Sequence, residues 1–539
     1  MGSQYGFQSL MNGANVTIVG GGLAGMVAAW RLLERGCNVS IFEASGRWGG
    51  KAGATQSGGT FEEHGYHIFP AWYQNVRRLV DELGLRDSFR DCTEFKQLRA
   101  GAYPDFRTFT NITSARYVWS NLTAGVIPFA ETFLFFYAAL DLMSQPYRYR
   151  AQLDQVTVTG FLRSRFYRTE RIAQQFQELM LKGISVPTYE VSAMTMRNVM
   201  RFWVKSPEPM HRILKGDLQS RWIEPIRTKI AGLGASLHLG RRLVAIDMDS
   251  EKVRRLRFVD GEGNEEEHPV DHLLLAIPVE KVSALVKDKL YACAPDLGEL
   301  GHVQTRPMTA FNIYFRNRIP DMPSAHVNLL DSRYGISFID VSQTWGTENR
   351  TVLNLIASDV TDLEEVSPLV AVSALMEDLR RYLPPFTFDD VERITFQSHA
   401  GQPLFMNDVG GWAFRPAART QVKNLYLAGD YCQTPIDLVS MEGAVTSALI
   451  AAEAIRADLA IGSPIEMLAP PVYPSWLYVL GRIALLPLAA IAKVWTLLTG
   501  SDFDEAASAV PPFDLSSLPQ WPVQVIDESL PPNQSTTTR

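Results

Sequence analysis

Apolar and polar positions fall into blocks whose period changes along the chain. Val16-Thr17-Ile18-Val19 is a β-branched run with the pattern of a short buried strand. Leu23 to about Arg35 then reads as a helix ended by Gly36, and Asn38 to Phe42 repeats the strand pattern. Far downstream the alternation returns. Asp217 to Gly234 is amphipathic, Gly234 to Gly240 and Arg241 to Ile246 have strand character, and a charged meander covers Asp247 to Pro269. Asp271 to Pro278 is apolar again, and Leu425 to Ala428 precedes a small-residue helix that begins near Met441.

Between these blocks the pattern differs. From Arg99 to about Gln219 it is mainly helical, as in Gln155 to Phe166 and Leu181 to Trp203, and Val126 to Met143 is strongly apolar. Glu131, Thr132 and Asp141 interrupt that run, so it reads as a helix lining an apolar cavity or touching lipid rather than as a span. From Val279 to about Thr395 helix and strand signals mix, with strands at Thr309 to Phe315 and Thr351 to Ala357. Trp476 to Leu498 is long enough to cross a bilayer, but Arg482, Lys493 and Pro487 favour a helix lying in the interface. The two cations are expected to snorkel towards headgroups, with Trp476, Tyr478 and Trp495 at the boundary. The proline- and Ser/Thr-rich remainder reads as a disordered tail.

A chain of 539 residues exceeds one core and predicts two or three domains. Its net charge of −7, with no basic block, excludes nucleic acid as the expected partner. Cys37, Cys92, Cys293 and Cys432 lack metal-ligand spacing and suit buried thiols in a reducing compartment. The first residues have no charged n-region, and Gly6 stands where myristoylation needs Ser or Thr, so neither a signal peptide nor a myristoyl anchor is expected. The sequons at Asn111 and Asn121 then carry no meaning.

The chemistry starts in the first turn. Gly20, Gly22 and Gly25 form G-x-G-x-x-G between strand and helix. Gly20 allows the tight turn, Gly22 the approach of a pyrophosphate, and Gly25 the close packing of helix on strand. The first helical turn, with Leu23 and Ala24, offers N–H groups and the positive end of the dipole to phosphates. Glu43, followed by Ala44, ends the second strand and is placed to accept hydrogen bonds from ribose hydroxyls. Arg47, Gly49, Gly50 and Lys51 add two cations and a flexible pair beside that acid.

The E-x(5)-G-G-K formed by Glu43, Gly49, Gly50 and Lys51 resembles the signature of the flavin amine oxidase and carotenoid desaturase superfamily. The resemblance implies FAD. It sharpens at Glu63, Gly65, Tyr66, His67, Ile68, Phe69, Tyr73 and Asn75, which are similar to a segment of plant- and cyanobacterial-type phytoene and ζ-carotene desaturases. In that family the segment borders flavin and substrate tunnel, so Gly65, Tyr66 and His67 are expected at the cofactor and Phe69, Trp72 and Tyr73 at the substrate. His67 is also the one candidate catalytic base. Leu243 occupies the place of a family residue lying against the adenine. Gly429-Asp430 and Ser440-Met441-Glu442-Gly443-Ala444 resemble the family's last flavin motifs, which puts Gly429, Asp430, Met441 and Ala444 at the cofactor. Asp437 stands where the desaturases usually have an aromatic, and is assigned to the substrate. Cys432 invites comparison with covalent flavin attachment, although its local motif differs.

The expected fold is therefore α/β: a Rossmann-like FAD-binding domain with a mixed α+β substrate domain and a C-terminal membrane-associating helix. FAD-binding segments are assigned to 15–98, 220–290 and 396–460, a helical cap to 99–219, the substrate domain to 291–395, and helix plus tail to 461–539. The resemblance implies an FAD-dependent oxidoreductase that takes hydride from a long apolar isoprenoid, as a carotenoid or phytoene desaturase does. A hydroxysqualene dehydroxylase-like or other terpenoid enzyme, an amine oxidase, and a non-catalytic flavin- and lipid-binding membrane protein are the alternatives. The expected partners are that lipid-like substrate, the membrane surface on its cytoplasmic side, and a quinone or oxygen as electron acceptor.

Overall fold

The first strand and its relatives assemble into a five-stranded, all-parallel sheet. Its order is Ser236–His238, Asn38–Phe42, Asn15–Val19, His272–Leu275 and Leu425–Leu427. These strands come from three distant stretches of chain, and all but the edge strand Ser236–His238 are largely buried on both faces, as the inner strands of a parallel sheet are. The helix Leu23–Leu33 covers one face and packs on the helix Met441–Leu459, so the first and last motifs share one layer. The computed structural model describes residues 13–57, 59–110, 115–146, 150–347, 349–398, 403–499, 513–526 and 537–538. Residues 1–12, on which the signal-peptide and myristoylation expectations rest, and the sequon at Asn111 lie outside these.

A second sheet of nine strands, counted among the described residues, runs Thr537–Thr538, Val523–Val525, Val391–Ser398, Thr309–Phe315, Val352–Ala357, Ile336–Asp340, Val327–Leu329, Glu94–Leu98 and Arg107–Thr110. It backs onto its own apolar cluster beneath the helix Pro368–Arg380. Glu94–Leu98 and Arg107–Thr110 therefore pair within this sheet, although they were assigned to the FAD segment and the helical cap, and Val391–Ser398 straddles the boundary placed at 395. Local periodicity could not settle membership, because pairing is decided across hundreds of residues.

The helical cap includes Phe129–Ser144, Glu170–Ile184 and Ala193–Val204. The helix Ser475–Thr499 lies along Phe129–Ser144, with Gly481 against Leu140 and Tyr478 against Ala139 and Met143. Its cations do not snorkel. Arg482 Nη1 pairs with Asp141 Oδ1 at 2.6 Å, and Lys493 Nζ donates to the Arg168 carbonyl at 3.0 Å. The opposite face is left wholly apolar, with Trp476, Leu480, Ile483, Ile491, Trp495 and Leu498 exposed.

The tail expectation is corrected as well. Residues 513–526 are folded: Trp521 is 2% exposed, against Phe386 and Phe388. Val523–Val525 adds a parallel strand beside Thr395 and Phe396. One tryptophan and alternating valines suffice for docking, and the surrounding prolines and serines hide them in any average over the tail. Of the four cysteines Cys293 is half-buried and the other three are buried.

Candidate active site

The glycine loop has the close contacts that its pattern requires. Gly20 takes φ +113°, and a Cβ there would collide with the Ala276 carbonyl; a Cβ on Gly25 would collide with the Gly20 carbonyl. Gly22 caps the helix Leu23–Leu33 with no side-chain hydrogen bond, leaving the first-turn N–H groups to a ligand. A parallel bridge joins Gly22 to Gly49, and Gly50, at φ +55°, would bring a Cβ within 3.2 Å of the Gly22 Cα. Two glycine-lined backbones thus meet at one point.

Glu43 stands beside them. Its Oε2 accepts from Gly21 N at 2.7 Å and its Oε1 from Ser45 N at 2.8 Å, which aims the carboxylate and leaves lone pairs over for hydroxyls. The chain from Gly240 runs alongside, donating from Gly240 N to Ser45 O and from Arg241 N to Glu43 O. This brings Leu243 next to the ribose acid, half-buried and paired across its hairpin with Phe258. Ala44 is exposed at the rim.

The two cations of the first motif brace the site. Arg47 Nη1 donates to Gly50 O at 2.8 Å and its other arm meets His64 Nε2. Lys51 Nζ donates to Pro403 O at 2.6 Å, and its charge offsets part of the burial that raises the Asp430 carboxyl above the usual carboxylate range. Lys51 and Asp430 are thereby brought together from opposite ends of the chain.

Asp430 and His67 are surrounded by protein yet keep accessible surface, as side chains facing an internal cavity do. Gly429, Val439, Ser440 and Ala444 also keep some, whereas Met441 is buried. These residues mark a wall at the N-terminus of the helix Met441–Leu459, where Ser440 Oγ accepts from Gly443 N at 3.0 Å. Uncapped N–H groups at the glycine loop, an oriented acid at ribose distance and an enclosed wall beside a second helix N-terminus fit FAD.

His67 Nδ1 lies 3.0 Å from Gly65 O. A carbonyl can only accept, so Nδ1 carries the proton and Nε2 keeps its lone pair. Burial lowers the imidazole pKa to about 4, and the ring is neutral at pH 7. Tyr66 turns away from the cavity: its hydroxyl lies 2.5 Å from both His326 Nε2 and Ser337 Oγ, tying the loop to the second sheet.

The expected substrate residues fare less well. Phe69 packs edge-on against Phe89 and Trp222 in the core, and Trp72 is buried among Tyr73, Phe202 and Trp203. Tyr73 is buried beside Ser440. Asp437 is no wall residue either: its carboxylate is buried between Arg415 and Arg150. An aromatic segment near a ligand motif supplies core packing as readily as a tunnel wall, and only the direction of each side chain separates the two. Cys432 is buried and burial raises its thiol pKa, which leaves no thiolate for a covalent link.

Three residues without an assigned role hold the site together. Glu442, fully buried, accepts from Asn75 N at 2.9 Å, Asn75 Nδ2 at 2.8 Å and Val76 N at 2.9 Å. It therefore caps the helix Gln74–Glu82 and clips the second motif to the third. Glu62 accepts from Asn312, Tyr314 and Thr395, fastening the FAD domain to the sheet. Arg415 lies in Phe-Arg-Pro, which has no recognisable pattern, and donates to Asp430 O, Tyr431 O and Cys432 O. The one legible signal was a carboxylate inside each apolar motif.

Comparison with known proteins agrees with this geometry. The family described as flavin containing amine oxidoreductase matches residues 23–456. The chain is similar to the 15-cis-phytoene desaturase of an Oncidium hybrid cultivar, 26% identical over 465 residues, covering 82% of this chain and 78% of that one. It is also similar to the zeta-carotene desaturase of Synechocystis, 20% identical over 491 residues, covering 83% and 98%. Among solved structures, cyclohexylamine oxidase from Brevibacterium oxydans shares the fold with a TM-score of 0.60 at 16% identity, over 83% of this chain and 100% of that one. The protein is an FAD-dependent oxidoreductase and belongs to the flavin containing amine oxidoreductase family.

Proposed function

We propose that the enzyme removes hydrogen from a long apolar isoprenoid, as a carotenoid or phytoene desaturase does, while resting on a membrane surface. The observation that carries the substrate class is the similarity to phytoene and zeta-carotene desaturases along more than four-fifths of the chain. FAD, when bound, supplies the ring that accepts a hydride. The chain orients it through Glu43 and the glycine loop, encloses it away from water, and presents His67 Nε2, unprotonated at neutral pH, to a proton lost from the neighbouring carbon. The electrons leave to a quinone or to oxygen.

The membrane reading is supported by the helix Ser475–Thr499. Its outward face extends roughly 37 Å at 1.5 Å per residue, with tryptophans near both ends. A single apolar patch of that length is larger than soluble monomers usually expose. Because Arg482 and Lys493 are tied to the cap, the helix fits lying in the interface beside the protein body better than leaving it to span.

Liposomes loaded with phytoene or ζ-carotene, with quinone or oxygen offered singly, test the function. A lengthened polyene chromophore together with two-electron reduction of the flavin is the expected result. A flavin reduced by amines and by no isoprenoid would overturn it.

A further inference from the structure

The stretch between the Asp430 turn and the helix Met441–Leu459 is closed by one buried cation. The Arg415 side chain is 2% exposed, and its Nε donates to Tyr431 O at 2.8 Å. Its Nη2 donates to Asp430 O at 3.1 Å and Cys432 O at 2.9 Å. Its Nη1 reaches Asp437 Oδ1 at 2.5 Å. One guanidinium, packed against Phe405 and Trp412, thus grips both ends of the loop. The first turn of the helix presses on the same loop, since a Cβ on Gly443 would lie 3.4 Å from the Asp430 Cβ.

Asp437 has a second set of partners on the other side. Its Oδ2 receives Arg150 Nη2 at 3.3 Å and Asn198 Nδ2 at 3.3 Å, both from helices of the cap. Asn407 Nδ2 donates to its carbonyl at 3.1 Å and Asn407 Oδ1 accepts from Val439 N. The residue sits at φ +50°, in the left-handed region that aspartate and asparagine enter more readily than other non-glycine residues. One buried carboxylate therefore belongs at once to the flavin loop and to the cap.

We propose that Asp437 is a positioning residue through which docking of the cap and seating of FAD depend on each other. Arg415 holds the loop for the cofactor only while Asp437 holds Arg415, and Arg150 and Asn198 bias Asp437 from the cap. Removing the cap's cation then loosens FAD although Arg150 belongs to the cap and not to the flavin loop.

The test is a double-mutant cycle read by FAD dissociation constant and by the visible circular dichroism of bound flavin. Asp437→Asn tolerates the left-handed backbone and removes the charge; it should weaken FAD about 10-fold or more and change the flavin's dichroism. Arg150→Met should weaken FAD about 3-fold or more in the wild-type background and have no further effect in the Asp437→Asn background. Unchanged affinity and dichroism in Asp437→Asn would overturn the proposal, and so would independent, multiplicative effects of the two substitutions. If Asp437→Asn does not fold, Arg150→Met alone decides, since unchanged FAD affinity there removes the coupling. FAD uptake by the wild-type protein checks the flavin site separately.

Discussion

Replacing Glu442 gives the most direct measure of how the separated motifs support one another. Its carboxylate takes three donors at 2.8–2.9 Å, two of them the backbone N–H groups that open the helix Gln74–Glu82. Leaving a buried donor unsatisfied costs about 1–3 kcal/mol. Glu442→Ala orphans the two backbone N–H groups, while Asn75 Nδ2 keeps the Leu468 carbonyl at 2.8 Å, and it opens a small void, so about 3–6 kcal/mol is expected. Glu442→Gln keeps one carbonyl for the Asn75 donors but turns an NH2 towards Val76 N, for about 2–3 kcal/mol. At ~2–4 °C per kcal/mol for a domain-sized unit, the glutamine variant should melt about 5–10 °C lower, followed by flavin fluorescence on the FAD-loaded protein. Thr446→Val, which removes only the contact at 3.2 Å to Asn75, is the control and should stay within about 1 kcal/mol. A glutamine variant melting with the wild type would refute the capping argument, and one melting with the alanine variant would show that charge, not the count of acceptors, sets the cost.

Three further outcomes follow from the geometry. Gly25→Ala, whose Cβ meets the Gly20 carbonyl, should abolish FAD uptake, which spectra of the purified protein report; a yellow, stoichiometrically loaded variant would refute the close-packing role. Stability should peak in mildly acid solution. His211 and His67, lowered from 6.5 to about 3 and about 4, lose stability as pH falls below 6.5, because the unfolded state takes up protons first. Glu63 and Glu442, raised from 4.5 to about 8 and about 7, have their full stability below 4.5 and lose it as pH rises through 7 and 8. Denaturant titrations from pH 3.5 to 9 check both arms, and a rise in stability from pH 6 to 9 would contradict the second. Leu480→Asp with Ile491→Asp, both on the outward face of the C-terminal helix, should move the protein from the membrane pellet to the soluble fraction without lowering its melting temperature. Retention in the pellet would shift attention to Trp119 and Phe129, which are exposed on the cap. Substitution is a cleaner perturbation here than truncation, because Trp521 and Val523–Val525 belong to the second sheet.

What the sequence determined by itself was local. Strand, turn and helix at Asn15 to Phe42 follow from β-branched residues, three glycines and a helix-forming run, each acting on its nearest neighbours. The structure reproduces the second strand's boundaries, starts the first strand one residue earlier at Asn15, and ends the helix two residues before the expected place. Glu43 was legible for the same reason, since a strand end fixes where its side chain starts. The helix near Met441 was legible from its run of small residues, and in the structure Ser440 caps it.

Only the tertiary structure decided which side of each element faces the cofactor. Tyr66 and His67 are neighbours, yet one reaches the second sheet and the other turns back on the Gly65 carbonyl and stays only half-buried. Phe69, Trp72 and Asp437 turned inward. Arg482 and Lys493 bind the cap, not headgroups, because Asp141 and the Arg168 carbonyl, each more than 300 residues away in sequence, offered nearer partners. Buried charges need partners supplied by whichever segment packs against them, and in this chain those segments lie hundreds of residues apart. Periodicity reports a face for burial; the partner that meets that face comes from the packing.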